Sequence, residues 1–215
     1  MKFDLKKEIP LFLLLIAPFI YLAFVWSSLP AVVPTHYNIN GEADKFSSNI
    51  GFAVMLILVS VFTYFILQIF PFIDPKNNVK EMGNKYYQVK FLTLGLISVL
   101  IFFLIYKTVN TETPIQFLMV ILGLFFVGIG NYFQTIKPNY FLGVRTPWTL
   151  ENESVWKKTH VASGKIYMLA GFLMALSYFV LPHKISTYFM LFIIIPIVIF
   201  PFVYSFLVFK RDQKA

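Results

Sequence analysis

Residues Ser47 to Ile73, SSNIGFAVMLILVSVFTYFILQIFPFI, run for 27 positions without one charged side chain. A helix needs about 20 predominantly apolar residues to cross the hydrocarbon of a bilayer, so this stretch reads as a membrane span. Outward from it, comparable runs extend from Ile9 to the acid at Asp44, and over Phe91–Tyr106, Thr113–Ile136, Ile166–Pro182 and Ile185–Phe209. Six spans are therefore expected. The third and fifth runs are short for a perpendicular crossing, so Lys107, His183 and Lys184 are expected to reach the interface by snorkelling or local thinning. Of the 215 residues, 58% are hydrophobic and 13% charged. A soluble domain carries about twice that charged share, so a soluble globule is excluded.

Charge sets the expected orientation. With the N-terminus inside, the inner side collects Lys2, Lys6, Lys7, Lys76, Lys80, Lys85, Lys90, Lys137, Arg145, Lys157, Lys158, Lys165, Lys210, Arg211 and Lys214, which is 15 of the 18 Lys and Arg. Only Lys45, Lys107 and Lys184 remain outside, the asymmetry that cytoplasmic loops impose on membrane proteins. The net charge of +8 is thus explained by topology, and no direct contact with nucleic acid is expected. The first run carries Trp26 and Pro30 where a cleavage site would want small residues, so it reads as a span and not as a removed signal peptide. Cysteine is absent, which excludes disulfides and thiolate metal sites. The expected fold is an all-α membrane protein: a six-transmembrane-helix bundle, N-in/C-in, with a structured outer loop between spans 1 and 2 and a cytoplasmic loop-helix between spans 4 and 5. Two units are expected, a two-span unit over 1–73 and a four-span unit over 74–215. Prolines 10, 18, 71, 196 and 201 fall in or beside spans, and kinks are expected in the first and last. Gly123 and Gly130, seven apart, share a face in span four that suits close helix approach.

The outer loop holds Pro34-Thr35-His36-Tyr37-Asn38-Ile39-Asn40-Gly41-Glu42-Ala43-Asp44. Asn40-Gly41 is a tight-turn signal with Gly41 free to take positive φ, so the loop is expected to fold back as a small hairpin. That brings His36 and Tyr37 near Glu42 and Asp44. His36, Glu42 and Asp44, with His183 from the same face, form the one set with metal-ligand chemistry. The preferred reading is that these groups satisfy their own turn, with no metal and no cofactor.

The inner loop, NYFLGVRTPWTLENESVWKKTHVASGK over Asn139–Lys165, is the densest polar chemistry in the chain. Thr149 or Asn152 can cap a following helix whose first turn carries Glu151 and Glu153. Glu153 and Lys157 are spaced for an ion pair, and Trp156 and His160 share a helix face continued by Gly164 and Tyr167. Trp148 and Trp156 suit interfacial anchoring and Arg145 suits a lipid phosphate. Against that stands one polar network of Asn131, Gln134, Asn139, Arg145, Thr149, Glu153, Trp156, Thr159 and His160.

The pattern Asn139-Tyr140-x-x-Gly143-x-Arg145-Thr146-Pro147-Trp148-Thr149-Leu150, followed by Trp156-x-x-Thr159-His160-x-x-x-Gly164-Lys165, resembles the signature of the SdpI family of bacterial membrane proteins. The outer motif, with His36, Asn38, Gly41 and Asp44, resembles the small N-terminal domain often fused to it. The resemblance covers nearly the whole chain. It implies a toxin-immunity and signal-transduction protein of the bacterial inner membrane, with a receptor loop outside for a secreted peptide toxin and a docking loop inside for a small cytoplasmic repressor. The motif residues His36, Asn38, Gly41, Asp44, Asn131, Asn139, Gly143, Arg145, Thr146, Pro147, Trp148, Thr149, Trp156, Thr159 and His160 are the candidate ligand or partner contacts.

Two other functions compete with that reading. A small-solute transporter would keep an ionisable residue inside the hydrocarbon, and the spans as drawn hold none. A metal-dependent membrane enzyme lacks support: there is no H-E-x-x-H, no G-x-S-x-G and no cysteine nucleophile, and His36 and His160 are expected on opposite faces. No catalytic residue is expected.

Overall fold

A computed structural model describes residues 4–213. Lys2 and Lys214 of the inner-side set lie outside the described residues. Helix α1 (Leu5–Phe24) is followed by strands β1 (Val32–Tyr37) and β2 (Ala43–Ser48), then α2 (Asn49–Ile73), a single-turn α3 (Asn78–Glu81) and α4 (Asn84–Val109). After a 3-10 turn at Ile115–Phe117 come α5 (Leu118–Phe133), a short α6 (Pro147–Glu151), α7 (Glu153–Val180) and α8 (His183–Asp212). Among the described residues six helices are long and apolar enough to cross a membrane: α1, α2, α4, α5 with its 3-10 turn, α7 and α8. Their outward faces are lined by residues such as Phe62, Phe72, Phe179 and Phe192, all exposed, as a bilayer environment requires.

The tightest packing joins α5 to α7. Gly123 lies against Gly171 and Gly130 against Gly164, so the two helices run antiparallel. A Cβ added at Gly123 would stand 2.5 Å from the Gly171 carbonyl oxygen, and one at Gly130 2.7 Å from that of Gly164. The seven-residue glycine spacing therefore has a partner spacing on α7, and backbone approach of this kind is how helices associate where lipid is as apolar as leucine. Helix α8 then packs on α7 through a core of Met119, Ala170, Met174, Ile193 and Ile197. Pro196 and Pro201 stand inside α8, as Pro10 and Pro18 do inside α1.

Two expectations fail here for one reason. The third span is not short, because α4 has 26 residues, and the span interior is not free of charge. The uncharged run begins only after Lys90, whereas Lys90 is 1% exposed and Glu8 of α1 is 5% exposed. Lys90 Nζ donates to Glu8 Oε1 at 2.9 Å. The other oxygen accepts from Tyr64 Oη at 2.9 Å and Gln68 Nε2 at 2.6 Å, both on α2. A buried charge is tolerable when paired and hydrogen-bonded. The pair ties α1 and α2 of the N-terminal region to α4, with Ser98 Oγ donating to the Leu14 carbonyl at 2.6 Å further along the same contact. The fifth span is also long, 28 residues, because the helix expected inside the cell is continuous with it.

Connections divide between two ends. The hairpin stands at the end shared by the C-termini of α1, α4 and α7, over a core of Leu22, Val33, Phe52, Leu56, Ile101 and Ile105. The α2–α4 and α5–α7 connections share the opposite end, where Val79, Met82 and Tyr86 pack with Phe133, Val144 and Trp156.

Removing one partner of a buried ion pair costs about 3–5 kcal/mol, whereas replacing both with apolar groups is often neutral. Lys90→Met is therefore expected to lower the unfolding midpoint in detergent sharply, and Glu8→Leu/Lys90→Met to recover most of the loss. A Lys90→Met protein as stable as the parent would show that the pair does not hold α1 to α4.

Candidate functional site

The loop between α5 and α7 is built by side chains that turn back onto its own backbone. Asn139 is fully buried: its Oδ1 accepts from the amides of Phe141 (2.8 Å) and Leu142 (2.6 Å), and its Nδ2 donates to the Lys137 carbonyl at 2.7 Å. These bonds curl the chain after Pro138, and Phe141 stacks on Phe70 of α2. Gly143 follows at φ +87°, with its α-carbon against the His160 ring. A side chain there would overlap Nε2, so both space and dihedral call for glycine.

His160 and Trp156 form the floor. The Val144 amide donates to His160 Nε2 at 2.9 Å, and Nδ1 faces the Trp156 carbonyl at 2.8 Å. A nitrogen that accepts from an amide keeps its lone pair, so the partners assign a neutral ring with the proton on Nδ1. Trp156 stacks on that ring at 4.0 Å, and its Nε1 donates to the Ile136 carbonyl at 2.7 Å. Both are at most 2% exposed. Trp156 is therefore a core residue and not an interfacial anchor.

The next turn is a reciprocal cap. Thr146 Oγ1 accepts from the Thr149 amide at 3.3 Å, Thr149 Oγ1 accepts from the Thr146 amide at 2.9 Å, and Pro147 occupies the first position of α6. Such a box satisfies two otherwise orphaned amides. Thr149 thus closes the cap of α6 in place of opening the long helix, which Asn152 caps through the Val155 amide. Thr146 Oγ1 also bonds Ser205 of α8 at 3.1 Å, and Trp148 packs on Phe206.

What remains outward is small. Arg145 is exposed, its Nη1 donating to the Tyr140 carbonyl at 2.7 Å. Lys76, from the α2–α4 connection, lies over the Tyr140 ring and donates to the Leu150 carbonyl at 2.8 Å. Asn78 of the same connection donates to the Pro138 carbonyl at 2.7 Å. The two connections are interlocked, with Arg145, Tyr140 and Pro147 on the surface.

The expected single network is only partly assembled. Asn139, Thr146, Thr149, Trp156 and His160 come together. Asn131 and Gln134 lie on an exposed face of the α5 end, and Thr159 is buried with its hydroxyl unpartnered. Glu153 is exposed and does not pair with Lys157; the ion pair of this region joins Lys158 to Asp212 at 2.8 Å. Ser205 and Asp212 escaped the sequence reading because both belong to the last helix, and only tertiary structure brings that helix to the loop.

At the other end the hairpin is present, antiparallel, with Gly41 at φ +83° in its turn. Asn38 Oδ1 accepts from the amides of Asn40 (2.9 Å) and Glu42 (3.0 Å), while its Nδ2 donates to Glu42 Oε2 at 3.0 Å. His36 Nδ1 pairs with Asp44 Oδ1 at 2.5 Å. His183 stacks instead on Tyr178, and among the described residues no three His, Asp or Glu side chains gather as a metal would need. His36 and Asp44 thus engage each other, while Glu42 and His183 are used in separate local contacts.

Against known proteins, residues 135–205 match the SdpI/YfhL protein family, and residues 13–61 match a domain of unknown function, DUF1648. The first region spans the loop, α7 and most of α8, and the second spans most of α1, the hairpin and half of α2. The immunity protein SdpI of Bacillus subtilis (strain 168) is 25% identical over 183 residues, covering 81% of this chain and 83% of its own. No solved structure matches the chain. The resemblance drawn from the two motifs is borne out, in the same order along the chain.

Gly143→Ala is expected to cost about 1–3 kcal/mol, through a strained positive φ and the collision with His160. Arg145→Ala, at an exposed position, is expected to stay within about 0.5 kcal/mol of the parent. Thermal unfolding in detergent measures both, and equal midpoints for Gly143→Ala and the parent would show that the loop is not clamped on His160.

Proposed function

We propose, for a chain whose residues 135–205 are of the SdpI/YfhL family, a membrane immunity and signalling protein of the bacterial inner membrane that perceives a secreted antimicrobial peptide at the hairpin end and presents the Arg145 loop to a small cytoplasmic repressor. The similarity to an immunity protein along four-fifths of the chain supports the immunity role. The observation that carries the two-ended reading is the build of the loop. Buried Asn139, Trp156 and His160 hold its backbone in one shape, while the Arg145 guanidinium is left outward beside Tyr140. A fixed, exposed fork of donors is suited to an acidic protein partner. Helix α8 supplies a physical link between the ends: Thr187 and Met190 lie below the hairpin, while Ser205 and Phe206 touch Thr146 and Trp148. Coupling needs two arrangements that ligand and partner bind unequally, and a helix in contact with both ends can report one to the other.

The transporter reading gains an ionisable pair inside the bundle, but every oxygen of Glu8 already accepts from a protein donor. That pattern favours a clamp over an exchange site. A non-catalytic role fits the similarity to an immunity protein.

Toxin-sensitive cells expressing the chain are expected to survive a panel of secreted antimicrobial peptides from competing bacteria. Arg145→Ala is expected to keep its unfolding midpoint yet lose recruitment of a repressor to the membrane by about ten-fold or more, the loss of one charge-assisted contact. No protection by the parent protein against any peptide would reject the immunity reading. The orientation is tested separately. Because the chain has no cysteine, Asn40→Cys should react with an impermeant maleimide in intact cells and Ser154→Cys only after lysis; the reverse pattern would overturn the N-in/C-in assignment.

A further inference from the structure

Between the hairpin and the helices beneath it lies a cavity of about 340 Å³, within the size range of small-ligand pockets. Strand β1 forms its roof. Its floor gathers Met55 of α2, Met119 of α5 and Met190 of α8, three flexible and polarisable side chains from three helices, the kind of lining that adapts to different apolar groups. The cavity is lined from β1, α2, α4, α5 and α8. The hairpin turn closes over the far side, for a Cβ added at Gly41 would stand 2.8 Å from Gln116 Nε2.

The polar groups at this cavity are neutral or already engaged. Asp44 takes the Nδ1 side of His36, and the two Asn38 side-chain atoms are used within the turn. Burial pushes the pKa of the Tyr37 hydroxyl upward, so it stays protonated. Gln116 and Thr35 complete the rim. A primary amide both donates and accepts, and so matches a peptide group on the ligand.

We propose that this cavity binds a large uncharged side chain, aliphatic or aromatic, of an extracytoplasmic peptide, with Gln116 hydrogen-bonded to the peptide backbone at the rim. The proposal rests on the receptor reading given above and locates its ligand site beneath the hairpin, where His36 is part of the lining and its Nδ1 is held by Asp44. A lipid acyl chain could share the apolar floor but would leave the Gln116 amide without a matching group, which is why a peptide is preferred.

The test uses the full chain in phosphatidylcholine nanodiscs and a photoreactive probe, N-acetyl-Leu-(benzoyl-Phe)-Leu-amide, with labelled sites mapped by mass spectrometry. Labelling is expected at Met55, Met119 or Met190, and Met190→Trp, which fills the cavity, is expected to reduce it by about ten-fold or more, the affinity carried by one buried large side chain. Leu191→Trp, at an exposed position on the same helix, serves as the folded control and should label like the parent. Labelling of those methionines by a diazirine-bearing phosphatidylcholine that the peptide does not displace would overturn the proposal in favour of a lipid site. Unchanged peptide labelling in a folded Met190→Trp protein would overturn it outright. The immunity reading is judged apart from this: full protection by a Met190→Trp protein that no longer labels would reject the cavity as the receptor site and leave that reading standing.

Discussion

Backbone against backbone at Gly123–Gly171 and Gly130–Gly164 is the contact on which the loop end of the molecule depends. In lipid nothing squeezes two apolar helices together as water would, and proximity of main chains supplies dispersion that bulky side chains would prevent. Once α5 and α7 are held at that distance, the carbonyl of Ile136 just past α5 comes within reach of the Trp156 indole, and Gly143 comes to rest on His160. The fold of the loop is therefore a consequence of helix spacing. It is not an independent module hung between two spans.

Most residues of the signature face inward. Asn139, Thr146, Thr149, Trp156 and His160 are buried and bonded to main-chain groups, whereas Arg145, Tyr140 and Pro147 meet the surroundings. A buried backbone amide or carbonyl without a partner is costly, so a compact loop at a membrane surface needs several side chains simply to complete its hydrogen bonds. Similarity in such a motif is then mainly similarity of shape, and the surface left for recognition is a handful of positions.

How far the sequence could be read follows from the range of each interaction. The hairpin was legible because Asn40-Gly41 encodes its turn locally, and the Trp156–His160 stack because four residues make one helical turn. Six spans were legible from hydropathy. The Glu8–Lys90 pair was not, since its members are 82 positions apart and each alone looks like an interfacial charge. For the same reason the start of α4 was set too late, and Ser205 was indistinguishable from any small residue in an apolar helix. Asn131 and Gln134 misled in the other direction: they are polar and close in sequence to the loop, yet they point away from it.

The Glu8–Lys90 pair also has a consequence for how the protein is made. Synthesis proceeds at about 5–20 residues per second, so the ribosome needs roughly 4–16 s to add the residues between the two. Throughout that interval Glu8 is present and its cation is not, and Tyr64 and Gln68 are added only after about two-thirds of it has passed. The first helix is then one whose carboxylate must stay hydrated at the membrane surface, or protonated, until α4 is delivered. Final seating of the N-terminal helices is thereby postponed until the third span arrives, which places the assembly of this end of the bundle under the control of translation order.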